Sequence, residues 1–187
     1  MSSVLLMCTL WSSISDLDLR SRLAHVIVLL MGVVGAGKTT VGCLLAQRLQ
    51  WEFVDADCFH PTANVEKIRH GLPLDDADRA PWLIAIRKAI DQWIAEHRNV
   101  VLACSALKQS YREQLNAGPE MKFVYLKGTL ELISERLRSR KGHFATTELL
   151  ASQFAILEEP RDAINIDVSH LPEKVVEEIL LRLREIR

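Results

Sequence analysis

The segment Gly32-Val33-Val34-Gly35-Ala36-Gly37-Lys38-Thr39 reads G-x-x-x-x-G-K-T and follows directly on the apolar run Val26 to Met31. Glycines at these positions let consecutive backbone N–H groups turn inward around phosphate oxygens, and a helix beginning at the motif's end adds its positive N-terminal pole. Lys38 reaches the outer phosphates, and the Thr39 hydroxyl suits Mg²⁺. With Thr40 as its last member, this stretch is expected to bind a nucleoside triphosphate.

A second constellation, Asp55-Ala56-Asp57, ends the next apolar run, Phe53 to Asp55. In an extended segment, alternation puts both carboxylates on one side. Phosphoryl transfer asks for alignment, charge neutralisation and somewhere for the acceptor's proton to go. Asp55 is accordingly assigned to the metal and its water shell, and Asp57 to an acceptor hydroxyl.

Further along, Cys104-Ser105-Ala106-Leu107-Lys108 is followed by Tyr111 and Arg112. Small residues there admit a substrate closely. Lys108 and Arg112 lie four apart, on one helical face, and can clamp an anionic group. Arg136, Arg138, Arg140 and Lys141 run into Gly142-His143-Phe144, a basic helix end before a possible hinge. We read this as a mobile lid that brings positive charge over the triphosphate and excludes water as a competing acceptor. Lys38, Asp57, Arg136 and Arg140 are therefore the catalytic candidates. His60 and His143 fall beside the presumed site loops, but neither is assigned as a catalytic base. Arg79 is a candidate substrate contact, and Trp82 and Trp93 share a helical face that reads as core.

To hold these groups at one edge, the chain offers apolar runs at 26–31, 53–55, 100–104, 123–126 and 164–168. Segments of helical periodicity separate them, at 39–49, 61–70, 81–97, 108–115, 129–140, 147–157 and 172–186. This alternation predicts an α/β fold, one five-stranded parallel sheet with helices on both faces. Ligands of such a sheet bind beyond the carboxyl ends of the strands, where each candidate falls. Pro61, Pro81 and Pro172 each suit a first helical position.

At 187 residues, 49% of them hydrophobic, the chain makes one domain, expected over 25–187. Residues 1–24 read as an accessory extension whose apolar part, Val4 to Trp11, lacks the basic start of a signal peptide and falls short of the about 20 apolar residues a bilayer requires. A net charge of −1 with interspersed signs offers no broad basic face to nucleic acid or membrane. Cys8, Cys43, Cys58 and Cys104 are scattered, with no C-x-x-C pair, which fits a reducing cytoplasm rather than a zinc site or a disulfide framework.

Taken together, several blocks resemble the bacterial-type gluconokinases of the P-loop kinase superfamily, from about Val26 to the C-terminus. They are Gly32 to Thr39, Asp55 to Pro61, Gly71-Leu72-Pro73-Leu74-Asp75-Asp76, Arg79-Ala80-Pro81-Trp82, Ala103 to Lys108 with Tyr111-Arg112, and Lys141 to Phe144. The resemblance implies the P-loop NTPase fold, ATP and Mg²⁺, phosphorylation of D-gluconate to 6-phospho-D-gluconate, and commonly a homodimer. It also implies that Asp57 meets the primary hydroxyl, that His60, Arg79, Lys108, Arg112 and His143 face the acceptor, and that the segment ending at His143-Phe144 is the lid. This chain departs from the family in having Val34-Gly35-Ala36-Gly37-Lys38-Thr39 where Ser-Gly-Ser-Gly-Lys-Ser is usual, and in residues 1–24, which have no counterpart in the pattern.

The nearest alternative is another small-acid or polyol kinase on the same fold, such as shikimate kinase, which also follows its second strand with D-x-D. A guanine-nucleotide switch is disfavoured, because no Gly has an Asp three residues before it and no N-K-x-D element is present. A polynucleotide kinase lacks its basic stripe.

Overall fold

The computed structural model describes residues 19, 23, 25–70, 72–139 and 147–185. Its strands are β1 (Ile27–Met31), β2 (Glu52–Asp55), β3 (Val100–Ala103), β4 (Met121–Lys127) and β5 (Ile164–Asp167). They form one five-stranded sheet in the order β2-β3-β1-β4-β5, every pairing parallel. The helices are α1 (Lys38–Leu49), α2 (Thr62–Arg69), α3 (Asp76–Ala95), α4 (Gln109–Leu115), α5 (Leu130–Ser139), α6 (Thr147–Ile156) and α7 (Pro172–Glu185).

Side-chain alternation along β1 builds both faces at once. Val28 and Leu30 point into a core shared with Val41 and Leu45 of α1, Ile133 of α5, Leu150 of α6 and Ile179 of α7. Ile27, Leu29 and Met31 point the other way, against Trp82, Ile86 and Ile90 of α3 and Tyr111 and Leu115 of α4. Because β1 and β3 are buried on both faces, their sequences are continuous apolar runs. The edge strand β5 buries only Ile166 fully. Each fully buried Ile or Leu in these cores contributes on the order of 1.5–3 kcal/mol.

Upstream of residue 25, Leu19 and Leu23 are buried in the α1/α7 core. Packing therefore reaches back into the stretch expected to be accessory, whose other residues apart from these two lie outside those described.

Two local expectations are corrected. Pro81 does not start a helix: α3 begins five residues earlier, at Asp76, with Pro81 inside it. The cause is a capping box, in which Asp78 N–H donates to Asp75 Oδ1 (2.8 Å) and Asp75 N–H donates to Asp78 Oδ2 (3.1 Å). It satisfies two otherwise orphaned amides before Pro81 is reached. Nor is Asp55-Ala56-Asp57 extended throughout. Asp55 ends β2 and caps a 3₁₀ turn over Ala56–Phe59, its Oδ1 accepting the Asp57 N–H at 3.1 Å.

Candidate active site

Strand order reverses its direction of growth at β1, which is flanked by β3 and β4, and the crevice at that switch point is where a ligand is expected. The glycine loop leaves β1 there and closes on Lys38, the first residue of α1. Gly37 caps that helix at φ 97°, a left-handed conformation that disfavours side chains. Gly35, at φ 82°, has a second constraint: a Cβ there would come within 2.9 Å of Ile133 and Leu137, so α5 rests directly on the loop. Gly32 N–H donates to Ser105 O at 3.3 Å, joining the loop to the segment after β3.

A cleft of about 270 Å³ is lined by Val34, Gly35, Gly37, Lys38, Thr39, Thr40, Asp55 and Asp57, together with Ala103, Cys104, Ser105, Leu137 and Gln153. Within it, Lys38 Nζ donates to the Gly32 and Val33 carbonyls at 2.9 and 3.0 Å. Burial lowers the ammonium's pKa, while Asp57, Cys104 and Asp55 pull it back up. Thr39 Oγ1 donates to Asp55 Oδ2 at 3.1 Å. These hard oxygen donors, adjacent and at the cleft's mouth, fit Mg²⁺, which takes few protein ligands and fills its octahedron with water and phosphate.

Asp57 lines the same cleft as the loop. Burial among the cleft walls, then the Asp55 charge, push its carboxyl above the usual range, while Lys38 and His60 pull it down. Its side chain is still 86% exposed to solvent, which screens these effects, so the displacement is modest until substrates expel that water. Cys104 is fully enclosed, and burial pushes its thiol up to about 12, so it is an unreactive wall of the cleft.

The turn carrying Asp57 is fixed from behind. Trp82 Nε1 of α3 donates to Ala56 O at 2.8 Å in the core. His60 stacks on the Trp82 ring at 4.6 Å and 10°, with Nε2 4.0 Å from Asp57 Oδ1. Only 8% of His60's side chain is exposed, and burial lowers its pKa, favouring neutral imidazole. The buried Asn64 holds α2 to α3 through Asp78 O at 2.7 Å, with His60 Nδ1 3.5 Å away.

Beside His60 lies a polar cluster built by the first turn of α3. Asp76 takes Lys108 Nζ on both carboxylate oxygens at 2.7 Å, accepts the Tyr111 hydroxyl, and lies 3.9 Å from Arg79 NH1. Hydrogen bonds from Lys108 and Tyr111 hold the Asp76 carboxyl below the usual range. Lys108 and Arg79 sit over the Tyr111 ring at 5.6 and 6.0 Å. These residues can receive a carboxylate or hydroxyl-rich ligand at the edge of the phosphate cleft.

Arg112 takes no part in that cluster, so the expected Lys108/Arg112 clamp does not form. Lys108 is the N-cap of α4, while Arg112, 7% exposed, turns inward and donates to Ala106 and Leu107 carbonyls at 3.1 and 3.0 Å. Those carbonyls belong to a loop where Ala106 holds φ 42° and has no strand partner, and the guanidinium satisfies them. Arg136 likewise faces protein: it donates to Val168 O and, at 3.4 Å, to His170 O. Arg140 and His143, with the expected lid, lie outside the described residues.

Asn64 and Gln153 were not singled out by sequence, and Asp76 and Trp82 were named there without a site role, Trp82 as core. Only Asp76 left a signal there, as the residue following a capping aspartate beside Arg79.

The phosphate loop, the carboxylates that share its cleft and the parallel sheet define a P-loop kinase, and comparison with known proteins agrees. The family model described as shikimate kinase matches residues 34–184. The thermoresistant gluconokinase of Escherichia coli (strain K12) is 42% identical over 157 residues, covering 81% of this chain and 90% of that protein. The gluconokinase of Gluconobacter oxydans (strain 621H) is 44% identical over 157 residues, 82% of this chain and 88% of its own. A crystal structure of a gluconokinase from Sinorhizobium meliloti 1021 superposes with a TM-score of 0.78 at 38% identity, covering 86% of this chain and 92% of that one. The chain belongs to the gluconokinase family.

Proposed function

We propose that this enzyme transfers the γ-phosphoryl group of ATP to the primary hydroxyl of D-gluconate, giving 6-phospho-D-gluconate. The observation that carries the chemistry is the cleft in which Lys38 and the loop amides face Asp57. The gluconokinases it resembles over most of its length carry the choice of acceptor.

In the proposed reaction the loop from Gly32 to Thr40 cradles the phosphates, and Lys38 donates to their outer oxygens. Thr39 and Asp55 would hold Mg²⁺, which supplies charge neutralisation on the phosphates. Asp57 accepts a hydrogen bond from the acceptor hydroxyl and orients it. As the acceptor oxygen bonds to the γ-phosphorus, its O–H bond breaks and the proton passes to Asp57. The bond from phosphorus to the β–γ bridging oxygen breaks, and its electron pair leaves on ADP. His60 limits where Asp57 can swing, and Arg79, Lys108 and Tyr111 receive the carboxylate end of the acid, with Asp76 yielding Lys108 to it.

The enzyme serves gluconate utilisation in carbohydrate metabolism, in the cytoplasm and as a homodimer, without a nucleic-acid or membrane partner. No helix among the described residues is long and apolar enough to cross a membrane. Position of transfer is read by ³¹P NMR of the product: a phosphomonoester coupled to the two C6 protons is expected, and a phosphoryl group on a secondary carbon or on the carboxylate would refute the acceptor geometry.

A further inference from the structure

Helix α6 follows residues 140–146 in sequence, and its Gln153 reaches the phosphate loop. Gln153 Oε1 accepts the Val34 N–H at 2.7 Å, across 119 positions of sequence. Because the partner is a backbone donor, only the carboxamide oxygen can face it, so the amide's orientation is set by chemistry. The other end of the carboxamide, Nε2–H₂, then carries two donors. Among the described residues it has no protein partner. Gln153 lines the same cleft as Lys38, Thr39, Thr40 and Asp57. Lys38 Nζ sits on the carbonyls of Gly32 and Val33, immediately before Val34, so Gln153 meets the loop at the end that serves the outer phosphates.

We propose that Gln153 is a nucleotide-binding residue, its Nε2–H₂ donating to an outer phosphate oxygen of the bound triphosphate while its Oε1 holds Val34 in place. A tethered amide donor there costs little to organise when the anion arrives, and its hydrogen bond to a charged oxygen is of the stronger kind. Helix α6 thereby becomes one wall of the triphosphate site, linking the chain beyond residue 146 to the loop that begins it. The inference rests on the nucleotide-binding reading of the cleft and is independent of which acid accepts the phosphoryl group.

The test is calorimetric binding of Mg·AMPPNP to the full chain and to two variants, with melting temperatures recorded without nucleotide. Gln153→Met keeps length and removes both functions; Gln153→Glu keeps an acceptor for Val34 and replaces the donors by a carboxylate oxygen. Both are expected to bind about tenfold or more weakly, as for loss of a hydrogen bond to a charged group. Melting temperatures close to wild type and an unchanged KM for the acceptor should accompany that loss. Wild-type affinity in either variant overturns the proposal. In particular, loss in Q153M with retention in Q153E would reduce Gln153 to a brace for Val34. Normal Mg·AMPPNP binding by the wild type without gluconate-dependent turnover would remove the acceptor assignment and leave this result standing.

Discussion

Replacing Lys38 by methionine is expected to lower kcat by roughly 10²–10³-fold, the cost of removing one preorganised donor from a transition state that spreads negative charge. The substitution keeps the side chain's apolar stem, so the effect isolates the ammonium. Burial pulls that group's pKa down, yet Asp57, Cys104 and Asp55 act against the pull and favour the charged form. Lys38 also holds the Gly32 and Val33 carbonyls, so the variant loses loop order as well as charge. KM for ATP should therefore rise together with the fall in kcat. Steady-state kinetics at saturating acceptor, with ATP varied, separates the two. A kcat within about fivefold of wild type would mean that Lys38 does not meet the transferring group.

Asp57→Asn keeps the shape of the side chain but removes its ability to take a proton, and kcat should fall by about 10²–10⁴-fold. The working form is the carboxylate. Burial and the Asp55 charge raise its pKa, so the acidic limb of the wild-type kcat/KM profile should lie above the ordinary carboxylate range, activity being lost as pH falls through it. Asn has no such limb. Stability runs the opposite way: a folded pKa above the unfolded value means the native protein favours the protonated side chain, and that stability is present at low pH and lost as pH rises through the folded pKa. At neutral pH the ionised Asp57 is thus a small cost, and D57N should melt no lower than wild type. A variant that is nearly fully active, or inactive only because it unfolds, would contradict the assigned role.

Much of the fold is local in origin and could be read directly. The run Val26 to Met31 is apolar on both faces because β1 is central in a covered sheet, and the amphipathic stripe of α7 falls where its spacing puts it. What escaped reading depends on competition or on distance. Pro81 is a reasonable start signal, but the Asp75/Asp78 box just upstream offers two hydrogen bonds and takes precedence. The same box explains how Asp76 comes to face Lys108 and Tyr111, thirty-odd residues away.

The site divides in the same manner. The loop from Gly32 to Thr40 and the pair Asp55/Asp57 come to one cleft because each follows the carboxyl end of a strand of one parallel sheet, β1 and β2 with β3 between them, and the alternation of runs makes such a sheet legible. Arg112 misled because sequence shows that a cation lies on a helix but not which way it turns. Here the loop carbonyls of Ala106 and Leu107 draw it inward. Gln153 and Trp82 act through tertiary contacts that no spacing encodes.

The central claim is the acceptor. ADP release from Mg·ATP, followed by a coupled assay with D-gluconate, shikimate, a neutral polyol of the same length or no acceptor, tests it most directly. The account predicts turnover that depends on D-gluconate and exceeds the other rates by on the order of a hundredfold, as expected when a site built for a polar group meets a ligand without it. Equal or faster turnover of shikimate or of the neutral polyol would contradict it.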